Sequence, residues 1–528
     1  MKQFTGTGKL LRLYIRRDWL LLPIWLFLPV VLVSGQMTFV KAMPDWRLFI
    51  EELSESAITS AWLGPIYPLS LEGAILWRGM LQAAIVVLFG AAFTVIRHTR
   101  TEEMSGRSEL ILGKPVGRYA NVTAAVTLSC AGSLLAGLLC SASLFSSGFA
   151  AGGSLIAGLT IAASGCVFAG LGSVLAQFFG HSGQVRGAIF GVYGLMMLFM
   201  VLNNVNGGYS AWAWLNPGAW FRVTAPFAEN HIWPLSIFAG LALIMPGLSY
   251  ALLNKRDMGA GIIAERERTK IADIKSPIAL AWHSHKRAVV VWSAGLSFIG
   301  VFIGAITPSI SMDSMGEMLA QLSGWGPAMM KLGNQEGFIA LSVYILGLMG
   351  GLSVFALTFV QSMRGEENEG YTEILLSKPV SRLKWMGSYL AVAFAGSAII
   401  LLAFGIMSGL GWSIGSGNSE HLFRVTAMSI SKIPSVWIII GIAALLYGWL
   451  PRIASFLGWL IWGVFVLVEM LWEAGIVGWS AMKWTPFSYA HYSTPINEIS
   501  MISLIVLVLI SGAFTALGIV GFKRRNII

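Results

Sequence analysis

The sequence predicts an all-α integral membrane protein of about twelve transmembrane helices, set out as two parallel six-helix repeats. Three observations predict it. Hydrophobic residues fill 56% of the 528 positions and charged residues only 11%, against roughly 25% charged in a soluble domain. Apolar runs such as Gly79 to Ile96 and Ile502 to Phe522 reach the length of a spanning helix, roughly 18 residues. A charged phrase also occurs twice, as "RTEEMSGRSELILGKPVGR" at 100–118 and "RGEENEGYTEILLSKPVSR" at 364–382, with ten of nineteen positions identical. The offset of 264 is half the chain. The apolar runs are continuous and lack period-two alternation, which excludes an outer-membrane barrel.

Hydropathy places the spans at about 19–40, 74–96, 121–146, 152–178, 187–204, 232–253, 287–307, 338–362, 386–411, 433–450, 453–473 and 499–521. The first follows basic residues, as a signal peptide does. Its apolar run is too long for one and no small-residue cleavage site follows, so it reads as a retained span. Twelve spans put both termini on one side. With that side cytoplasmic, 27 of the 35 lysines and arginines lie inside, as positive-inside topology requires. The location this predicts is a bacterial-type cytoplasmic membrane. Topology accounts for the net charge of +10, and no nucleic-acid partner is needed.

The halves, 1–264 and 265–528, read alike. Each begins with a basic amphipathic lead-in, "KLLRLYIRRDW" and "IALAWHSHKR", of the kind that lies in the membrane interface. An outer segment follows the first span of each half, with Trp62, Gly64 and Pro65 in one and Trp325, Gly326 and Pro327 in the other. These segments, 41–73 and 308–337, are candidates for an extracellular cap or for plain interfacial helices. Each half closes on basic residues, Lys255 and Arg256 before Asp257, and Arg524 and Arg525 before Asn526. The polar stretch near 255–286 is the expected cytoplasmic linker.

The repeated phrase leaves the second span of each half. Glu102, Gly106 and Glu109 fall at i, i+4 and i+7, one face of a helix, and so do Glu366, Gly370 and Glu373. Glu103 stands at i+4 spacing from Arg107. Pro115 and Pro379 stop the helix, and Arg118 and Arg382 re-enter the membrane. A glycine on the acidic face permits close approach by another backbone. A catalytic role for the carboxylates is disfavoured, because acid–base work needs a pocket around them. A solvated, charge-rich loop is the plainer reading, weakened by the repetition at half-chain spacing.

The string "RHTRTEEMSGRSEL" from Arg97 to Leu110 resembles permeases of the type-2 ABC exporter class, above all the large fused permeases of polyketide-antibiotic exporters of the tetronasin-resistance type. The second copy departs from it, with Ser362 and Met363 for His and Thr and Tyr371 for Arg. The resemblance implies a permease that moves a hydrophobic or amphipathic, antibiotic-like compound out of the cell. It implies that Glu102, Glu103, Gly106, Glu109, Pro115 and Arg118 meet one copy of an ABC ATPase subunit, and Glu366, Glu367, Gly370, Glu373, Pro379 and Arg382 a second. The chain carries no G-x-x-x-x-G-K-[ST] phosphate loop, so ATP and Mg are expected on the partner and no cofactor on this chain. The rival readings are an ion-coupled secondary transporter, which would want acidic residues near the bilayer midplane, and a membrane sensor.

Arg78, Glu469 and Glu473 are ionisable residues within spans, and such residues are costly and often functional. All three fall near outer ends, so a substrate path competes with structural pairing. Cys130, Cys140 and Cys166 read as inert buried thiols, with no metal-ligand spacing. His283 and His285 are two apart and do not share a helix face. The clustered tryptophans match an interfacial aromatic belt, with a stacking surface for a substrate as the alternative. Small residues in the third and fourth spans predict close helix packing.

Overall fold

The computed structural model describes residues 2–41, 46–47, 64, 66, 69–113, 115–205, 211–257, 259–263, 276–309, 334–473, 476–491, 494 and 498–526. Among them there is no β-strand, and eleven helices are long and apolar enough to cross a membrane. The protein is a multi-pass, all-helical membrane protein. Trp62, Pro65 and the Trp325–Gly326–Pro327 motif lie outside the described residues, as do most of the two candidate cap segments.

The chain forms two compact units, Met1–Thr269 and Lys270–Ile528. In the first, an amphipathic helix, Thr7–Arg17, precedes six long helices: Leu21–Lys41, Leu71–Ile96, Ala120–Ser146, Ala151–Phe178, Ser182–Val205 and Trp233–Leu253. In the second, the long helices are Pro277–Ile306, Arg382–Ser416, Ile433–Trp449, Ala454–Glu473 and Met501–Arg524. The eighth expected span, 338–362, falls on three consecutive helical segments: α at Asn334–Ser342, π at Val343–Leu352 and α at Ser353–Asn368. This stretch is not among the eleven. The two lead-ins also differ. The first is a separate helix that ends at Asp18, whereas the second runs without a break into Pro277–Ile306, opened by Ser276, whose side chain accepts from the Ala279 N–H.

Small residues bring the third and fourth spans together, as expected. A Cβ at Gly137 would lie 2.3 Å from the Gly158 carbonyl oxygen, and one at Gly158 2.2 Å from that of Gly137. Only glycine permits such backbone contact, which dispersion forces then stabilise along the whole crossing. Elsewhere in this unit the glycines make room for a ring. A Cβ at Gly90 or at Gly132 would strike the indole of Trp25, so Trp25 is the wedge that seats the first span on the second and third. In the second unit, Gly448 and Gly518 hold the tenth and twelfth spans in the same way, with 2.1 Å from the would-be Cβ of Gly448 to the Gly518 carbonyl oxygen.

Candidate functional site

Each unit has a basic end, where its first span begins and its last span finishes. The repeated phrase lies there, and it does not form the single helix that its spacing suggested. After the second span, a π-helical turn at Arg97–Thr101 leads into a short helix, Glu102–Met104; the chain breaks at Ser105–Gly106 and resumes as Arg107–Leu112. Gly106 has φ +69° and Gly370 has φ +79°, and a Cβ at either would meet nothing within 4 Å. These glycines are therefore there for left-handed backbone, not for close approach. Each starts a new six-residue helix at an angle, Arg107–Leu112 and Tyr371–Leu376.

The break decides which acids face out. Glu102 is buried and paired with Arg17 of the lead-in helix, with Arg107 at 3.9 Å as a second cation. The expected Glu103–Arg107 pair is thus replaced. Glu103 pairs with Arg100, and Arg256 reaches it with two bonds, Nη2 to Oε1 at 2.6 Å and Nη1 to Oε2 at 2.9 Å. Gln177 of the fourth span accepts from Arg256 Nε at 2.7 Å. The second unit repeats the construction. Arg364 lies 3.5 Å from Glu367, Arg525 donates to Glu367 Oε2 at 2.7 Å, and Tyr447 of the tenth span donates to the same oxygen at 2.8 Å. Each unit thus carries an Arg–Glu–Arg clasp that ties the second span's exit to the end of its last span.

Arg118 and Arg382 tie the same ends a second time. Arg118 donates to the Leu253 carbonyl at 2.7 Å, and Arg382 donates to those of Lys523 and Arg525 at 3.0 and 2.6 Å. These are the free carbonyls at the C-termini of the sixth and twelfth helices, where a cation is favoured. Glu366 is half-buried and accepts from Tyr389 at 2.6 Å. Glu109, Glu373, Pro115 and Pro379 are exposed. Of the twelve residues expected to meet an ATPase, then, Glu102, Glu103 and Glu367 are committed inside the chain, and Glu109 and Glu373 are the acids left on the surface.

The histidine of the first copy has a local partner. His98 Nε2 is 2.7 Å from Asp18 Oδ2, and Arg97 is 3.1 Å from Asp18 Oδ1. Tyr14 stacks on His98 with centroids 4.0 Å apart and donates to Asn121 Oδ1 at 2.5 Å. Burial raises the Tyr14 phenol above its ordinary value, the Glu102 carboxylate adds to this and Arg17 opposes it. Tyr14 therefore serves as a donor throughout the physiological range.

The first unit also holds an apolar cavity of about 890 Å³ between the third, fourth and sixth spans, within the usual size of small-molecule pockets. Cys130, Cys166, Phe238 and Pro246 line it, and Phe4 and Tyr250 stand at one end. Thr123 and Tyr250 hydroxyls, 2.9 Å apart, provide polar groups at that end. Phe4 is held there because Gly117 N donates to the Thr5 carbonyl and Tyr119 N to that of Gln3, at 2.8 and 3.0 Å. Neither this cavity nor its strap was singled out from sequence; the small residues that form it read only as packing.

At the end opposite the basic one, a further pair of matched sites emerges. Pro217 to Pro226 aligns with Pro486 to Pro495, with Arg222 opposite His491, a likeness that a search for charged repeats passes over. Arg222 is buried and donates to Asn204 Oδ1 of the fifth span at 2.7 Å. His491 is buried and donates to Glu469 Oε1 of the eleventh span at 2.8 Å. Tyr344 donates to Glu469 Oε2 at 2.7 Å, and Lys432, fully buried, donates to the Ala490 carbonyl. Arg222 and Lys432 fall between the expected spans and are among the eight cations that the topology leaves outside; both are buried against these acceptors. Glu469 is thus engaged structurally, while the side chains of Arg78 and Glu473 lie outside the described residues.

Residues 274–523 match the family model described as "Multidrug efflux system permease Rv1217c, C-terminal domain". The whole chain is similar to the "Multidrug efflux system permease protein Rv1217c" of Mycobacterium tuberculosis strain ATCC 25618 / H37Rv. The two are 31% identical over 541 aligned positions, covering 99% of this chain and 96% of the relative. A full-length likeness of this kind, in an all-helical membrane chain, identifies a transporter component rather than an enzyme. The chain belongs to the family of multidrug efflux system permeases.

Proposed function

We propose that the chain is the membrane-spanning subunit of an ATP-driven ABC exporter, of the tetronasin-resistance type, whose cargo is a hydrophobic or amphipathic compound. ATP and Mg would be bound by a separate ATPase subunit, two copies per chain, on the side that holds both termini. The observation that carries this reading is the twinned surface helix. Each of Arg107–Leu112 and Tyr371–Leu376 follows a left-handed glycine, exposes one glutamate, and is anchored by an ionic clasp to the last span of its unit. A push at its exposed face would reach the spans behind it through the preceding turn, which the clasp holds to the last span. The apolar cavity of the first unit suits a cargo of low polarity.

The test has two stages. Affinity purification of the tagged chain from its own membranes is expected to bring down an ABC ATPase at about two per chain. In the reconstituted complex, Glu109→Lys combined with Glu373→Lys is expected to lower drug-stimulated ATP hydrolysis by about tenfold at unchanged permease melting temperature. Transport driven by an ion gradient with no ATPase present would overturn the reading.

A further inference from the structure

The apolar cavity of the first unit is a groove with one open side. The third and sixth spans both pack on the fourth. At the basic end the Thr123–Tyr250 hydrogen bond joins them; towards the other end small residues, Ala131, Ala163 and Ala239, leave the space between them open. Phe238 and Pro246 in its floor are buried. Its rim faces outward, with Leu134 45% and Leu243 78% exposed. The lining runs from Thr123 to Leu134 on the third span and from Tyr250 back to Leu235 on the sixth, roughly 17 and 22 Å at the helical rise. A volume of about 890 Å³ spread over that length has a mean cross-section of roughly 40–50 Å². The groove is therefore long and slender, and it lies along the helices.

We propose that this groove binds an anionic membrane phospholipid, whose acyl chains lie along it and whose phosphate rests at its basic end. In a bilayer the open side faces hydrocarbon, and apolar walls left empty would forfeit their dispersion contacts. The groove's length spans about half or more of a hydrocarbon core of roughly 30 Å, the depth of one leaflet. Its slenderness suits extended chains. Polarity changes where a headgroup would begin. Beyond the Thr123 and Tyr250 hydroxyls, Tyr119 stacks on Tyr250 with centroids 4.8 Å apart and accepts from Asn254, and Phe4 closes on both rings at 5.6 and 5.7 Å. Such amphipathic rings sit at headgroup level. Two exposed cations adjoin them in sequence, Arg118 before Tyr119 and Lys255 after Asn254. Arg118 donates to the Leu253 carbonyl through Nη2, and a guanidinium has five donors. Lys2 precedes the strap and Asp257 follows Arg256, so cations outnumber acids here once Glu103 is spent in its clasp. Basic pockets between spans take anionic headgroups in this way. The proposal goes beyond the cargo reading, because lipid would fill the groove whether or not an ATPase is attached.

Photolabelling of the full chain in phosphatidylcholine nanodiscs tests this, with no ATP or ATPase present. The probe is a trace of phosphatidylglycerol carrying a diazirine midway along one acyl chain, and peptide mass spectrometry maps the labels. Labelling of 159–166, the groove's wall on the fourth span, is expected to exceed that of 190–198 on the fifth span about fivefold, although Phe190, Leu195 and Leu198 are 52–55% exposed. The same probe with a phosphatidylcholine head should label 159–166 about threefold less, and Lys255→Gln should narrow that difference. Ala131→Trp combined with Ala239→Trp fills the groove from its rim and should abolish the enrichment. Labelling of 159–166 no stronger than that of 190–198 overturns the proposal, as does equal labelling by the two headgroups. Capture of an uncharged lipophilic drug probe at 159–166, with none of the lipid, also overturns it and leaves the groove to the cargo. The wild-type map decides by itself should a variant fail to fold.

Discussion

At the basic end of the first unit, Asp18 breaks the lead-in from the first span and is held by Arg97 and His98. At the matching place in the second unit the lead-in is continuous, and the histidine has changed sides. His285, on the lead-in itself, bonds to Ser362, which stands where the first copy has His98. It packs against Phe359 and Tyr389 with centroids 4.2 and 5.5 Å away. One unit thus fixes lead-in to second span through a buried carboxylate, the other through a serine hydroxyl and rings. The lesson is that a repeat can conserve a connection while exchanging the chemistry that makes it. The clasp, together with the Arg118 and Arg382 ties, links the charged phrase to the last span in both units. The lead-in contact is local and tolerates substitution.

The contrast can be broken or sharpened by parallel substitutions. The largest effect is expected from the clasps. Arg256→Ala should cost about 3–5 kcal/mol, the range for stranding a buried ionic partner, read as a fall in thermal stability in detergent. Arg525→Ala should cost less, because the Arg525 side chain is 13% exposed against 3% for Arg256. Equal losses would show that the two clasps carry the same load. Next, Asp18→Asn removes the carboxylate shared by Arg97 and His98 and should destabilise by about 1–3 kcal/mol. His285→Ala, which removes a bond to the Ser362 hydroxyl, should stay near about 1 kcal/mol, and a reversed order would refute the exchange of chemistries described above.

Two smaller effects follow. Burial holds the His491 imidazole below its ordinary value, so the unfolded chain binds more protons once pH falls below about 6.5. Stability is therefore complete above that pH and declines as acid is added, in a melting profile that His491→Gln should flatten. Arg222→Gln should leave that profile unchanged. The smallest effect is expected at the hinges. Gly106→Ala and Gly370→Ala each meet open space but adopt positive φ, costing about 1 kcal/mol apiece. Near-equal melting losses support one role for both hinges.

Much of the basic end was legible in the sequence, because the charged phrase recurs at half the chain length and its prolines mark where each short helix has stopped. What misled was its helical spacing. The i, i+4, i+7 pattern of Glu102, Gly106 and Glu109 presumes uninterrupted helix, and a left-handed glycine at its centre rotates Glu109 away from Glu102. The opposite end was less legible. Arg222 and Lys432 resemble loop cations in a hydropathy reading, which scores residues one at a time and cannot register an acceptor contributed from another helix. The 890 Å³ cavity left no signal at all, since Ala, Gly and Cys on facing helices look the same whether they pack or leave space.

The sequence by itself determined that the chain crosses a membrane many times, where most spans lie, that a charged segment repeats, and that its helix has ended by Pro115 and Pro379. Those are properties of hydrophobic run length and of local backbone stereochemistry, both written in consecutive residues. Only the tertiary structure decided which carboxylates are anchors and which are free. Glu103 finds Arg256 and Glu367 finds Arg525 at separations of 153 and 158 residues. A buried charge must take whatever opposite charge the packing brings within reach, and that depends on how helices distant in sequence come to lie side by side.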